Sequence, residues 1–122
     1  MTEFIRLPEF DHDMKKLSRD FRSLEDDLDT FTIALSARIP AGLSGIVRIA
    51  NLGMDVADPV FKVRKFRCQS LKGRGSNSGL RVIYAFDSAT DSITFIEIYF
   101  KGHQENEDRE RILRYMKSST GE

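Results

Sequence analysis

The sequence predicts an α+β fold: a curved antiparallel sheet packed on an N-terminal helical hairpin, with a C-terminal helix. Three observations predict it. Apolar residues from Phe10 to Leu35 recur in alternating steps of four and three, the spacing of a helix with one buried stripe. Three runs rich in β-branched and aromatic residues then follow one another between residues 61 and 100. A short charged segment, residues 106–117, closes the chain with Ile112, Leu113 and Met116 on one side. The 122 residues suit one domain over 1–122, and a composition of 40% apolar and 31% charged residues with 3 Pro excludes a disordered chain or a coiled-coil rod.

Taken in order, Phe4-Ile5-Arg6-Leu7 is an apolar start suited to an edge strand, and Pro8 punctuates it. The stripe Phe10, Met14, Leu17, Phe21, Leu24, Leu28, Phe31, Leu35 divides at Ser23-Leu24-Glu25-Asp26, which reads as an N-cap with an acid three residues on. Two helices follow, at 10–21 and 24–38, folded as a hairpin, with acids at 25, 26, 27 and 29 in the favourable field of the second helix's N-terminus. Pro40 and Gly42 end it, and residues 41–59 read as loop with a short strand at Ile46-Val47-Arg48-Ile49. The first strand run covers residues 61–68, with a slip of phase at Lys65-Phe66 that suggests a bulge. The second, 80–86, and the third, 93–100, are joined as a hairpin through 87–92. Their almost wholly apolar character predicts central strands covered on one face by helices. Acids between 105 and 110 suit the start of the last helix.

The formal charge is zero, with 19 bases against 19 acids, yet it is not evenly spread. Residues 60–86 hold Lys62, Arg64, Lys65, Arg67, Lys72, Arg74 and Arg81 and no acid, a net +7 offset by the acidic flanks. Such a run attracts polyanions when it is not paired with acidic helices. Arg81 stands among Val82, Ile83, Tyr84 and Ala85, so its guanidinium must either pair, with Glu97 on the next strand, or face a cleft where phosphate can bind. Lys62 and Arg64 share one side of the preceding strand. His103, after the turn residue Gly102, is the histidine nearest these strands and can exchange protons near neutral pH. Lys65, Arg67, Lys72, Arg74 and Tyr99 are the further candidate contacts to a polyanion, Lys72 and Arg74 on the glycine-rich loop 69–79.

Several chemistries are excluded. The loop matches neither a phosphate-binding P-loop nor a dinucleotide fingerprint. One cysteine, Cys68, permits no internal disulfide, and with two histidines it makes too small a Cys/His set for zinc. Residues 60–86 offer no carboxylate to a two-metal nuclease. No metal and no cofactor is expected. No apolar run is long enough to span a bilayer, and the N-terminus lacks the pattern of a secretory signal, so a cytoplasmic location without membrane contact is expected.

In the order and spacing of Phe61-Lys62-Val63-Arg64, Gly79-Leu80-Arg81-Val82-Ile83-Tyr84 and Ile96-Glu97-Ile98-Tyr99-Phe100-Lys101-Gly102, the chain resembles the RelE/ParE toxin superfamily of toxin–antitoxin pairs. The resemblance implies a RelE-like fold and a metal-independent endoribonuclease that cuts mRNA on the ribosome by attack of the 2′-hydroxyl. It implies a cognate antitoxin as partner. It assigns Arg81 to the arginine that stabilises the transition state and Lys62 and Arg64 to the basic pair of the preceding strand. Lys101 and His103 fall where relatives place a further catalytic arginine or histidine. The family's tyrosine on the last helix has no counterpart at that spacing, since Tyr115 comes later, so general acid and base remain unassigned. A ParE-like gyrase inhibitor and an inactive binding protein of the same fold are the alternatives.

Overall fold

Pro8 shapes the first turn of the chain. Its ring fixes φ and removes a donor, which ends a strand and suits the first position of a helix. The computed structural model, which describes residues 1–50, 52, 58–71, 73, 75 and 77–119, accordingly shows β1 (Glu3–Arg6) running into α1 (Pro8–Leu17). Then come α2 (Leu24–Ser36), β2 (Ile46–Arg48), β3 (Val60–Val63), β4 (Leu80–Asp87), β5 (Ser92–Phe100) and α3 (Arg109–Ser119). The two N-terminal helices therefore exist as separate elements, each shorter at its C-terminal end than its periodicity suggests.

The fold is α+β, with three helices and one five-stranded sheet in the order β1-β5-β4-β3-β2. The sheet is mixed rather than antiparallel throughout. β1 pairs with β5 in parallel, from Glu3 against Ser92 to Arg6 against Phe95, while the other three pairings are antiparallel. The chain can make this parallel pairing because α1, α2 and three strands intervene, ample length for a crossover.

Both faces of the sheet are covered, not one. Leu80, Val82, Tyr84, Ile93, Phe95 and Ile98 join Phe10, Met14, Leu24, Leu28 and Leu35 of α1 and α2 in one core. Ile83, Ala85, Ile96 and Tyr99 join Val60, Leu52 and Ile112 of α3 in a second. This is why β4 and β5 read as apolar on both sides. Each large side chain fully buried in this way contributes about 1.5–3 kcal/mol.

Two local expectations are corrected. The bulge lies in β5, where Ile83 faces Glu97 but Tyr84 faces Phe95, leaving Ile96 as the extra residue. At Lys65-Phe66 the strand has already ended, and Phe66 makes an isolated bridge with Asn77. Ser23 occupies the N-cap position of α2 as expected, but its side chain makes no capping bond to the helix N–H groups. Its hydroxyl donates to Asp27 Oδ2 at 2.6 Å and accepts the Ser70 N–H at 2.8 Å. Asp27, buried, also takes the Gln69 N–H, so the two residues clip the chain after Phe66 to α2.

β1 leaves the sheet at Arg6, and Leu7 N–H donates to Phe95 O as the last step of that ladder. Beyond it, side chains complete the β5 edge. Asp13 of α1 accepts the Ile98 N–H at 3.3 Å, and Arg111 Nη1 of α3 donates to Ile96 O at 3.0 Å. Arg111 and Asp13 pair with each other through bonds of 2.6 and 3.2 Å. Asp13→Ala is expected to cost about 3–5 kcal/mol of unfolding free energy, because it strands a largely buried guanidinium. Urea unfolding measures this, and a loss under 1 kcal/mol contradicts it.

Candidate functional site

On the face shared with α3, strand alternation sets Val47, Lys62, Ile83 and Glu97 in one row across four strands. Arg81 opposite Tyr99 belongs to the next row, and Arg64 follows Lys62 two residues on. The ladder continues past β5, where Lys101 N–H donates to Gly79 O at 2.8 Å, which keeps Lys101 two residues beyond Tyr99 on the same face. α3 covers only part of this face. At its uncovered end lies a cleft of about 240 Å³ lined by Val47, Lys62, Arg64, Arg81, Lys101, Glu105 and Asn106.

Four of the sequence-predicted basic residues therefore meet in one place. They come from β3 and the chain just after it, from β4 and from the end of β5, and the lining sets them against one acid, Glu105. Arg81 does not pair with Glu97, whose register partner is Ile83. Among the described residues its guanidinium makes one hydrogen bond, a long one of 3.4 Å to the Leu80 carbonyl. Among the described residues, no carboxylate lies within ion-pair distance of Arg81, Arg64 or Lys101.

Lys62 differs. Its ammonium donates to Glu107 Oε1 at 2.9 Å, with both side chains more than four-fifths buried. Burial works against the Lys62 charge, but hydrogen bonds to Glu107 and Tyr99 outweigh it and hold the pKa above the usual lysine value. Burial likewise pushes the Glu107 carboxyl up, and Lys62, the residue's own N–H and Tyr99 more than offset this, so it lies below the ordinary range. The Tyr99 hydroxyl approaches Glu107 Oε1 at 3.5 Å. Glu107 was read from sequence only as an acid favoured near a helix N-terminus; its partner lies 45 residues away and no local pattern announces it.

The turn that carries Glu107 is built around Glu97. This buried carboxylate accepts the Asp108 N–H and a Gln104 Nε2–H, each at 2.8 Å. Asp108 in turn accepts the Arg111 N–H in the first turn of α3.

The remaining predicted residues lie elsewhere. His103 sits edge-on to Phe100, whose ring packs with Phe21 on the face of α1 and α2. It lines a separate concavity with Asp13, Lys16, Leu17 and Asp20, away from the cations. The cause is the tight turn at Gly102, where a Cβ would meet the Phe100 ring at 2.5 Å, and which carries the chain from one face to the other. Tyr99 is 4% exposed within the second core, so it offers no ring face on which a base could stack. Lys65 and Arg67 are exposed but do not line the cleft. Lys72 and Arg74 lie outside the described residues. Cys68 is buried.

Among the described residues there is no group of three or more His, Cys, Asp or Glu side chains that could hold a metal ion, and no helix is long and apolar enough to cross a membrane. No known family profile matches the chain, and no curated protein matches it.

Burial holds the Glu97 carboxyl above its ordinary value of 4.5. The folded state therefore binds this proton more tightly than the unfolded chain. Its contribution to stability is complete below pH 4.5 and is lost as pH rises through the folded value. Glu97→Gln is expected to flatten the stability profile in that window, measured by urea unfolding across a pH series; an unchanged slope counts against a buried, destabilised carboxylate.

Proposed function

We propose that this protein is a RelE-like toxin of a toxin–antitoxin pair, an endoribonuclease that cuts ribosome-bound mRNA in the cation-lined cleft without a metal. The observation that carries the proposal is the convergence of Lys62, Arg64, Arg81 and Lys101 on one open concavity, with Arg64, Arg81 and Lys101 unpaired among the described residues. Arg64 and Lys101 are exposed and Arg81 is partly buried, so their charges are open to an anionic ligand that enters the cleft. The α+β architecture is compatible with the RelE-like fold.

RNA carries its own nucleophile. The 2′-oxygen bonds to the adjacent phosphorus, the bond to the 5′-oxygen breaks, and the products are a 2′,3′-cyclic phosphate and a 5′-hydroxyl. The protein has to hold the phosphate, stabilise the extra negative charge of the phosphorane, and move two protons. Arg81 can offer a planar pair of N–H donors to two phosphate oxygens, and Arg64, Lys62 and Lys101 surround the same space. Cations aimed at developing charge contribute about 10²–10³-fold each. His103 has no part in this arrangement, since it lines the other concavity. A cognate antitoxin would silence the protein by covering or distorting the cleft.

Inducible expression followed by primer extension on a translated message tests the proposal. Cuts within codons are expected, and Arg81→Ala should reduce them by about 10²-fold or more. Growth arrest with intact messages that persists in Arg81→Ala overturns the nuclease and supports gyrase as the target. Binding to single-stranded RNA should weaken with salt, with a log–log slope of about −2 to −3 for three or four phosphate contacts. Salt-insensitive binding would remove the cleft from consideration.

A further inference from the structure

The four cations supply no acceptor for the 2′-hydroxyl proton, and Glu105, the carboxylate in the cleft lining, is exposed and held by no hydrogen bond or ion pair among the described residues. Among the residues predicted from sequence, His103 is on the wrong face, and Arg64, Arg81 and Lys101 are cations. Lys62 keeps its proton through its bond to Glu107 and makes a poor acceptor. Resting on the nuclease reading, we propose that Glu107 is the catalytic residue that accepts the 2′-hydroxyl proton, with Lys62 as the bridge between it and the scissile phosphate.

The geometry supports this assignment. Lys62 lines the cleft and donates one N–H to Glu107 Oε1 at 2.9 Å. An ammonium carries three donors, so two remain for phosphate oxygens. Two acceptors on one tetrahedral ammonium lie roughly 5 Å apart. Glu107 lies behind Lys62 rather than in the cleft lining, and a phosphate held by Lys62 would bring the 2′-oxygen next to that phosphorus toward its carboxylate. Both recorded side-chain hydrogen bonds of Glu107 go to Oε1. Among the described residues, no side chain donates to Oε2, and the residue's own N–H is the one further donor to the carboxylate, which leaves acceptor capacity for the hydroxyl. Its position is fixed from behind, because Glu97 holds the next residue's N–H. The charged and titratable groups that act on Glu107 are Lys62 from β3 and Tyr99 from β5, and together they keep the carboxylate ionised at neutral pH.

In the step, the 2′-hydroxyl proton passes to Glu107 Oε2 as the 2′-oxygen bonds to phosphorus. The electron pair of the breaking bond leaves on the 5′-oxygen, which takes a proton from water in the open cleft. Glu107 then returns its proton to solvent.

Glu107→Gln keeps the shape and an acceptor oxygen for Lys62 but cannot take the proton. Cleavage of message on programmed ribosomes, followed in single turnover, is expected to fall about 10²-fold or more. Binding to the same complex carrying a 2′-deoxy nucleotide at the cut site, which cannot react, should stay within threefold. Glu107→Asp retains a carboxylate and should cut at least tenfold faster than Glu107→Gln. Glu107→Gln cutting as fast as the parent, or faster because Lys62 is released to the phosphate, overturns the assignment and leaves the nuclease standing. So does a Glu107→Asp no faster than Glu107→Gln. A parent that does not cut programmed ribosomes at all overturns the nuclease reading and this assignment with it.

Discussion

β1 is too short to cover the whole edge of β5. It pairs over Ser92–Phe95 and then turns away at Pro8, leaving residues 96–98 with no strand on the edge opposite β4. Unpaired backbone groups in a half-buried place are costly, and here one carboxylate and one guanidinium take the place of the missing strand. Asp13 receives the Ile98 N–H, Arg111 donates to Ile96 O, and the two side chains pair across the edge. Asp13 belongs to a helix on one face and Arg111 to a helix on the other, so this contact ties both layers to β5 at the point where the bulge occurs. Glu9, 3.7 Å from Arg111 Nε and 3.2 Å from Arg114, extends the contact outward.

The position of α3 determines what the second face can do. Held at one end by Arg111 and started by Asp108 on Glu97, the helix packs Ile112 against Ile83, Ala85 and Ile96 and stops short of Arg81. The covered half of the face is core and the uncovered half is the cleft. The 104–108 turn forms the border, and it brings acids to the cations: Glu105 at the lining and Glu107 on Lys62. The cleft is thus less positive than the basic run of residues 60–86 suggests. Its charge is divided between Lys62, engaged by a carboxylate, and Arg64, Arg81 and Lys101, which among the described residues are not.

How much of this was legible in the sequence depends on the range over which each signal acts. The helical stripe of Phe10, Met14, Leu24, Leu28 and Leu35, the strand runs and the punctuation at Pro8 are consequences of backbone periodicity, and all are seen in the elements formed. The basic residues of successive strands were also legible as a group, because antiparallel neighbours with a shared phase place their outward side chains together. Misplaced features were those that two readings fit equally well. Ser23 stands at the N-cap position but directs its hydroxyl to Asp27 and Ser70 instead of a helix N–H, and Lys65-Phe66 has the pattern of a bulge but lies beyond the strand end.

From the sequence alone came the α+β class, the order of elements and, within a larger set of candidates, the cations Lys62, Arg64, Arg81 and Lys101, since spacing along the chain carries the elements and places these bases on or beside successive strands. Tertiary structure alone decided the parallel pairing of β1 with β5, the covering of both faces, the pairing of Lys62 with Glu107 and the separation of His103 from the cleft. The physical reason is distance along the chain. Asp13 and Arg111 are 98 residues apart, Lys62 and Glu107 45, and contacts of that range are chosen by how whole layers pack rather than by any local pattern.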